Sequence, residues 1–387
     1  MSMPPTSPSG PVPAGAAPTG PVAVYLLPPP PPPGILSRAF QWFMRGFFLL
    51  SLLLNVLLLN FLASELDADA TVPELHVQGD RWEKHKIAIV RVEGAIVEGF
   101  TSFAHQQIRR AAQDDQVRAV VLAINSPGGT VTASDELHQA VKRLRAGEFP
   151  EQKAPKPVVV AMESIAASGG YYIAAPADHI VAQPTTLTGS IGVYAQLFDV
   201  SELAAKHGVG LTMLKKGELK GSGSPFHKMR PEEELEFNEL LEHSYQRFMG
   251  VIVEGRNRAN AAPRLRHGLR DEITLETLTE PRQRYTRRLA DGGGWIAPQA
   301  LEFGLIDQIG YQQDALAVAA QLIDRPLSDC RVVRYRRSTT FVESLLGLSS
   351  APPPATLRLE RLPGASARLW YLASGYELET FMGPGSK

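Results

Sequence analysis

Cysteine is almost absent from this 387-residue chain, Cys330 being the only one. That excludes an intrachain disulfide and any CxxC metal or redox site. It leaves the compartment open, because disulfide-free proteins occur on both sides of a membrane. Net charge is nearly absent too: 39 basic against 40 acidic residues give a formal charge of -1, with no long basic block. A phosphate-tracking surface, and with it a nucleic-acid partner, is therefore not expected. The chain also lacks an HExxH or comparable cluster of histidines and carboxylates, so neither a metal nor another cofactor is expected. No block repeats internally, which argues for one catalytic unit.

What is present begins with a hydrophobic run. Gly46 to Ala63 carries no charge and is almost wholly apolar, long enough for a helix to cross the hydrocarbon layer. Trp42 and Phe43 precede it as interfacial anchors would, and Ser51 and Asn55 stand one helical turn apart, where they could bond to a second copy in the membrane. A cleaved signal peptide would have a shorter apolar core and a far shorter preceding tail. That tail, residues 1–45, is expected to be disordered over its Pro-, Gly- and Ala-rich part, which includes Pro28 to Pro33. Arg38 and Arg45 lie before the run, while Glu65, Asp67, Asp69 and Glu74 follow it. The positive-inside rule then predicts a single-pass anchor in the cell membrane, with a cytoplasmic N-terminus and an extracytoplasmic body.

A linker over 64–85 leads into the body, 86–325, whose pattern is that of alternating strands and helices. Ile87 to Val92, Val117 to Ile124, Val158 to Met162 and His179 to Ala182 are short β-branched runs suited to buried strands. Phe103 to Ala112 and Ser134 to Arg145 have helical spacing, with Ser134 as a capped start. Pro231 to Gly255 reads as a long helix opened by Pro231 and the acidic Glu232 to Glu234. This is the rhythm of a layered α/β fold built from βαβ units. The extension over 326–387 has no assigned role.

Two glycine-containing junctions, each at a strand end, can carry chemistry. Asn125-Ser126-Pro127-Gly128-Gly129 lets the backbone turn sharply and present bare N–H groups, as an oxyanion hole requires; an ordinary Pro-Gly turn is the plain alternative. In Ala166-Ala167-Ser168-Gly169-Gly170 a serine stands between small residues at a strand-to-helix turn, uncrowded for an approaching carbonyl, or else serves as a helix N-cap. The motif is not G-x-S-x-G, so an α/β-hydrolase elbow is not supported.

The order of INSPGG, SIAASGGYYIAAPAD, TLTGSIGV, KKGELKGSGSP and WIAPQALEFGLIDQIG resembles the signal peptide peptidase A family, within the Clp protease and crotonase superfamily. The resemblance runs from about Ile87 to Leu322. It implies a layered Clp/crotonase-like domain and a serine endopeptidase with a Ser-Lys dyad. Ser168 matches the nucleophile, Lys220 the general base, Gly129 an oxyanion donor and Ser190 a serine that orients the lysine amine; superfamily analogy adds the Gly169 amide as second donor. It also implies peptide substrates such as signal-peptide remnants or unfolded proteins, and a ring-like homo-oligomer in which neighbours share the site. The sequence departs from the family at Thr130, where a third glycine is frequent, and in Asn257 to Gly293, which is longer and more basic than usual.

A lysine base needs a dry setting. Free lysine has a pKa of about 10.4 and cannot accept a proton at neutral pH; reaching about 7 to 8 takes roughly 4 kcal/mol of differential solvation. Lys215, Lys216 and Lys228 read as surface charges. The competing triad would draw on His179 beside Asp178, but His179 begins an expected strand, and the region Gly189 to Ala195 has no histidine. A crotonase-like acyl-CoA enzyme and a non-catalytic scaffold of the same fold are the other readings.

Overall fold

The computed structural model describes residues 35–66, 72–99, 101–257, 264–277, 279–337 and 370–372. The chain divides into two units, Met1–Ala63 and Ser64–Lys387. In the first, helix α1 (Ile35–Leu66) contains an exposed apolar stretch, Phe40–Leu59, long enough to cross a membrane. The helix thus begins at Ile35, within the segment expected as tail, because no breaker follows Gly34. The rest of that tail lies outside the described residues. Asn55 donates to the Ser51 carbonyl one turn back, at 2.7 Å, so part of its amide is already engaged inside the helix.

The second unit runs in the order β1 (Glu74–Gln78), β2 (Lys86–Glu93), α2 (Ser102–Gln113), β3 (Val117–Ser126), β4 (Gly128–Thr130), α3 (Val131–Ala146), β5 (Val158–Ala167) and α4 (Gly169–Ala174). It continues through β6 (His179–Ala182), β7 (Leu187–Gly189), α5 (Ser201–Lys206), α6 (Pro231–Arg256), β8 (Glu272–Glu276), β9 (Arg284–Arg288) and β10 (Gly294–Ile296). It ends with α7 (Ala297–Glu302), β11 (Gln308–Ile309), α8 (Gln312–Gln321), β12 (Arg331–Tyr335) and β13 (Trp370–Leu372). The main sheet has the order β1-β12-β2-β3-β5-β6-β11, parallel except for β1 on β12. The four expected strands are all in it. Strand β5 changes neighbour along its length: Val159 to Met162 pair with β6, whereas Ile165 to Ala167 pair with β7.

Both faces of this sheet are covered, which is why its strands are near-continuous apolar runs. Ala88, Val90, Leu122, Ile124, Val160 and Met162 face a core shared with α2, α3, α4 and α6. The alternate residues Ile87, Ile89, Val121 and Val159 pack against Ala315, Leu316 and Ala319 of α8. Helix α6 enters the first core through Phe248, Val251 and Ile252, with the Phe248 ring 5.0 Å from that of Tyr172. Its last residue, the buried Arg256, makes a two-point ion pair with Asp307 at 2.7 and 3.0 Å and donates to Gly304 O.

Three boundaries differ from the sequence reading. Helix α3 starts at Val131, capped by Thr130, whose extended backbone lets its hydroxyl accept from the Ala133 amide; Ser134 lies buried inside the first turn instead. The expected linker contains β1, and the expected extension contains β12, which lies between β1 and β2, next to the edge of the sheet. Both are short, and both find their partners far along the chain, so local patterning does not mark them. Within the unusual segment 257–293, β8 and β9 form an antiparallel hairpin.

Candidate active site

Ser168 occupies the single residue between the end of β5 and the start of α4, with φ 52° and ψ −116°. A non-glycine residue in such a conformation costs of order 1–3 kcal/mol and persists only where its surroundings impose it. Here the Ser168 amide donates to Gly189 O of β7 at 2.7 Å, and the Ser168 carbonyl accepts from Tyr172 N at 2.9 Å. The side chain makes no capping bond to the helix it precedes, so the N-cap alternative does not describe it. Its hydroxyl is buried, 1% of the residue being exposed, and has no hydrogen-bond partner among the described residues.

The two glycine junctions meet. A Cβ on Gly169 would lie 2.4 Å from Ser134 Oγ, 3.1 Å from the Gly129 amide nitrogen and 3.2 Å from Gly128 Cα, a fit only glycine allows. The direction of the Gly129 N–H follows from strand geometry. Ile96 N donates to Gly128 O and Thr130 N donates to Ile96 O, which turns the polar groups of Gly128 and Thr130 toward Ile96 and those of Gly129 toward the other edge. Along that edge runs β13, antiparallel, with Tyr371 opposite Gly129. Thr130 carries no strain at φ −72°, so a third glycine is not needed there; its hydroxyl donates to Glu98 at 2.8 Å.

Ser190 follows directly on Gly189 and is buried, with φ 50°. Its Oγ donates to Gly292 O at 2.9 Å and its amide to Gly293 O at 3.1 Å. Behind it lies a cavity of about 880 Å³ reached by Tyr194, Tyr245 and Arg288.

Among the described residues, no hydrogen bond joins Lys220 to Ser168 or Ser190. It sits in an arm, residues 195–230, where 211–220 are all exposed. The arm folds on itself, Val200 N donating to Pro225 O at 2.7 Å, and leaves Phe198, Leu203, Leu211, Leu214, Phe226 and Met229 uncovered, Leu214 at 94%. The lysines buried among the described residues are others, Lys86 and Lys156. Lys156 donates to the Ala111, Ala112 and Asp114 carbonyls at 2.6–2.8 Å, closing the end of α2, and burial lowers it to about 8. It precedes β5, whereas Ser168 follows it, roughly 30 Å away at ~3.3 Å per strand residue.

The same separation bears on His179, which pairs with Val159 at the start of β5. Its neighbour Asp178 is engaged by Arg145 at 2.8 Å and by the Val158 amide at 2.9 Å. His138, 3% exposed under Tyr172, is pushed by burial to about 4.

Residues 150–264, which include Ser168 and Lys220, match the sequence profile of peptidase family S49. A Synechocystis sp. protein provisionally named as a protease is 34% identical over 239 residues, 62% of this chain and 75% of that relative. An Enterococcus faecium protein provisionally named signal peptide peptidase SppA is 35% identical, over 62% of this chain and 61% of its own length. Protease 4 of Haemophilus influenzae is 31% identical over 62% of this chain and 35% of its own. The chain therefore spans about three fifths of the Enterococcus relative and about one third of the Haemophilus one.

Proposed function

Because the chain belongs to peptidase family S49, we propose that it is a membrane-anchored serine endopeptidase in which Ser168 attacks a peptide carbonyl and Lys220 takes up its proton. The observation that carries this reading is the convergence of the strained Ser168 turn, Gly169 and the Gly129 amide beside an edge that accepts an extended strand. A peptide lying along β4 as β13 does would turn a carbonyl toward the Gly129 N–H, the arrangement of peptide recognition by strand addition. The amides of Gly129 and Gly169 then hold the oxyanion, a contribution of about 10²–10³ in kcat per donor. Ser190 spends its proton on Gly292 O, and its lone pairs remain to accept from the lysine amine and aim it.

The lysine comes from a neighbouring copy in this reading. Two features support that: Ser168 Oγ has no partner among the described residues, and Lys220 rides an exposed arm whose apolar side chains are uncovered, the mark of an interaction surface. Head-to-tail contacts of this kind close into rings when the rotation permits. Docking the arm would also dry the lysine, which its role as base demands. The substrates are apolar unfolded segments such as signal-peptide remnants, in keeping with the anchoring helix and with the name of the Enterococcus relative. Arg38 and Arg45 ahead of the apolar stretch favour a cytoplasmic N-terminus and an extracytoplasmic body.

The test is hydrolysis of an unfolded protein and of a synthetic signal peptide by the full chain in nanodiscs. Cleavage that disappears in Ser168→Ala supports the reading. Cleavage that survives removes it, and turnover of an acyl-CoA thioester in its place would point to the crotonase-like alternative.

A further inference from the structure

We propose that Glu233, acting through Arg230 and His227, is the group that positions Lys220; the inference rests on Lys220 being the base. Lys220 lies in a turn rich in left-handed glycines, Gly217 at φ 92°, Gly221 at 96° and Gly223 at 76°. Such a turn has unusual conformational freedom, whereas a catalytic group must be held to within about 0.5 Å. Something outside the turn has to hold it. The carbonyls of Glu218, two residues before Lys220, and of Gly221, the residue after it, are both met by side chains from beyond the turn, the first also by Lys215 Nζ at 2.8 Å. Arg230 Nη2 donates to Glu218 O at 2.9 Å, and His227 Nε2 lies 3.4 Å from Gly221 O.

Both of these side chains converge on one carboxylate. Arg230 meets Glu233 Oε1 through Nε at 3.0 Å and Nη2 at 2.7 Å, and its backbone amide donates to Oε2 at 3.2 Å; His227 Nε2 stands 3.8 Å from Oε1. The Glu233 side chain is fully buried, although the arm around it is largely exposed. Burial works to raise its pKa, yet the hydrogen bonds and charge of Arg230 win and hold it below the ordinary carboxylate range. A buried carboxylate in an exposed element is costly unless it is fully bonded, and what this one organises is the pair of carbonyls that bracket Lys220. Glu233 in turn belongs to the first turn of α6, whose far end is fixed in the core by Phe248, Ile252 and the Arg256–Asp307 pair. A continuous mechanical path thus runs from the core, along α6, to the backbone of the lysine.

The experiment compares the full-length wild type with Glu233→Gln, Arg230→Ala and Lys220→Ala, measuring peptide kcat and KM and the rate at which a fluorophosphonate labels Ser168. Circular dichroism and sizing establish fold and assembly for each. The expectation for Glu233→Gln and Arg230→Ala is a fall of about 10- to 100-fold in kcat and in labelling rate, the scale of a roughly 1 Å misplacement, with KM nearly unchanged. Added guanidinium ion should restore part of the activity of Arg230→Ala and none of that of Lys220→Ala. Wild-type kcat in both cluster variants, a rise confined to KM, or loss of assembly in both without rescue by guanidinium would overturn the proposal. An active Lys220→Ala, by contrast, would remove the dyad itself.

Discussion

Ser168 and Ser190 follow directly on neighbouring strands, both with positive φ, 52° and 50°, and the Ser168 amide is bonded to the carbonyl of Gly189, the residue before Ser190. The two residues therefore belong to one corner of the sheet, and in the proposed dyad a lysine held at Ser190 would stand near Ser168. Ser168→Ala, Lys220→Ala and Lys220→Arg should each abolish cleavage without unfolding, since nucleophile and base act as a unit and a guanidinium does not deprotonate. Coexpressing Ser168→Ala with Lys220→Ala should restore about one quarter of the sites if neighbours share them under random cyclic assembly. Mixed rings without activity would place both residues of each site in one chain.

Gly169→Ala should lower kcat by about 10²-fold or more, because the added methyl collides with Ser134 Oγ and crowds the Gly129 amide where an oxyanion donor is needed. Binding of a non-hydrolysable peptide, measured by fluorescence anisotropy, should change much less. Equal losses in binding and turnover would argue against an oxyanion role for this corner.

Removing residues from Trp370 onward should lower KM for added peptides, because β13 occupies the edge of β4 that strand addition would use. An unchanged KM with full activity would mean that substrate enters along another edge.

His138 makes folding sensitive to mild acid. Its folded pKa of about 4 is below the unfolded value of about 6.5, so the unfolded chain binds the extra proton first. The associated stability is intact above pH 6.5 and is lost progressively as pH falls toward 4, by up to about 3 kcal/mol. Urea melts of wild type and His138→Phe across that window measure it, and the variant should show a flatter profile.

Lys156→Met and His179→Ala should keep substantial turnover, both positions being at the far end of β5 from Ser168. Lys156→Met should nonetheless lose stability, by about 1–3 kcal/mol, because it strips the Ala111 and Ala112 carbonyls at the end of α2 of this donor and leaves that of Asp114 to the Val117 amide alone. An inactive His179→Ala beside an active Lys220→Ala would bring the triad back.

The four core strands and the glycine junctions were legible because both are local: a short run rich in β-branched residues marks a doubly covered strand, and a serine between small residues marks an open turn. The meeting of Gly129 with Gly169 was implied by the resemblance but not by spacing, since strand pairing across the sheet brings them together. What the sequence hid was non-local. Strand β12 reads as a basic pentapeptide and becomes a buried strand only because β2 lies ready to pair with it. Lys156 carries no signal either, as the burial that depresses its pKa is made by a helix end more than forty residues away. Thr130 outcompeted Ser134 as the cap of α3 because its backbone is extended where that of Ser134 is helical.

A site shared between copies through the uncovered arm would give the enzyme a threshold. If its lysine serves the next molecule round, a lone copy in the bilayer has a nucleophile without a base and is inert, and catalysis switches on only where copies crowd together. Turnover would then rise more steeply than linearly with surface density, so that a sparsely populated membrane is spared while a densely populated one is cleared.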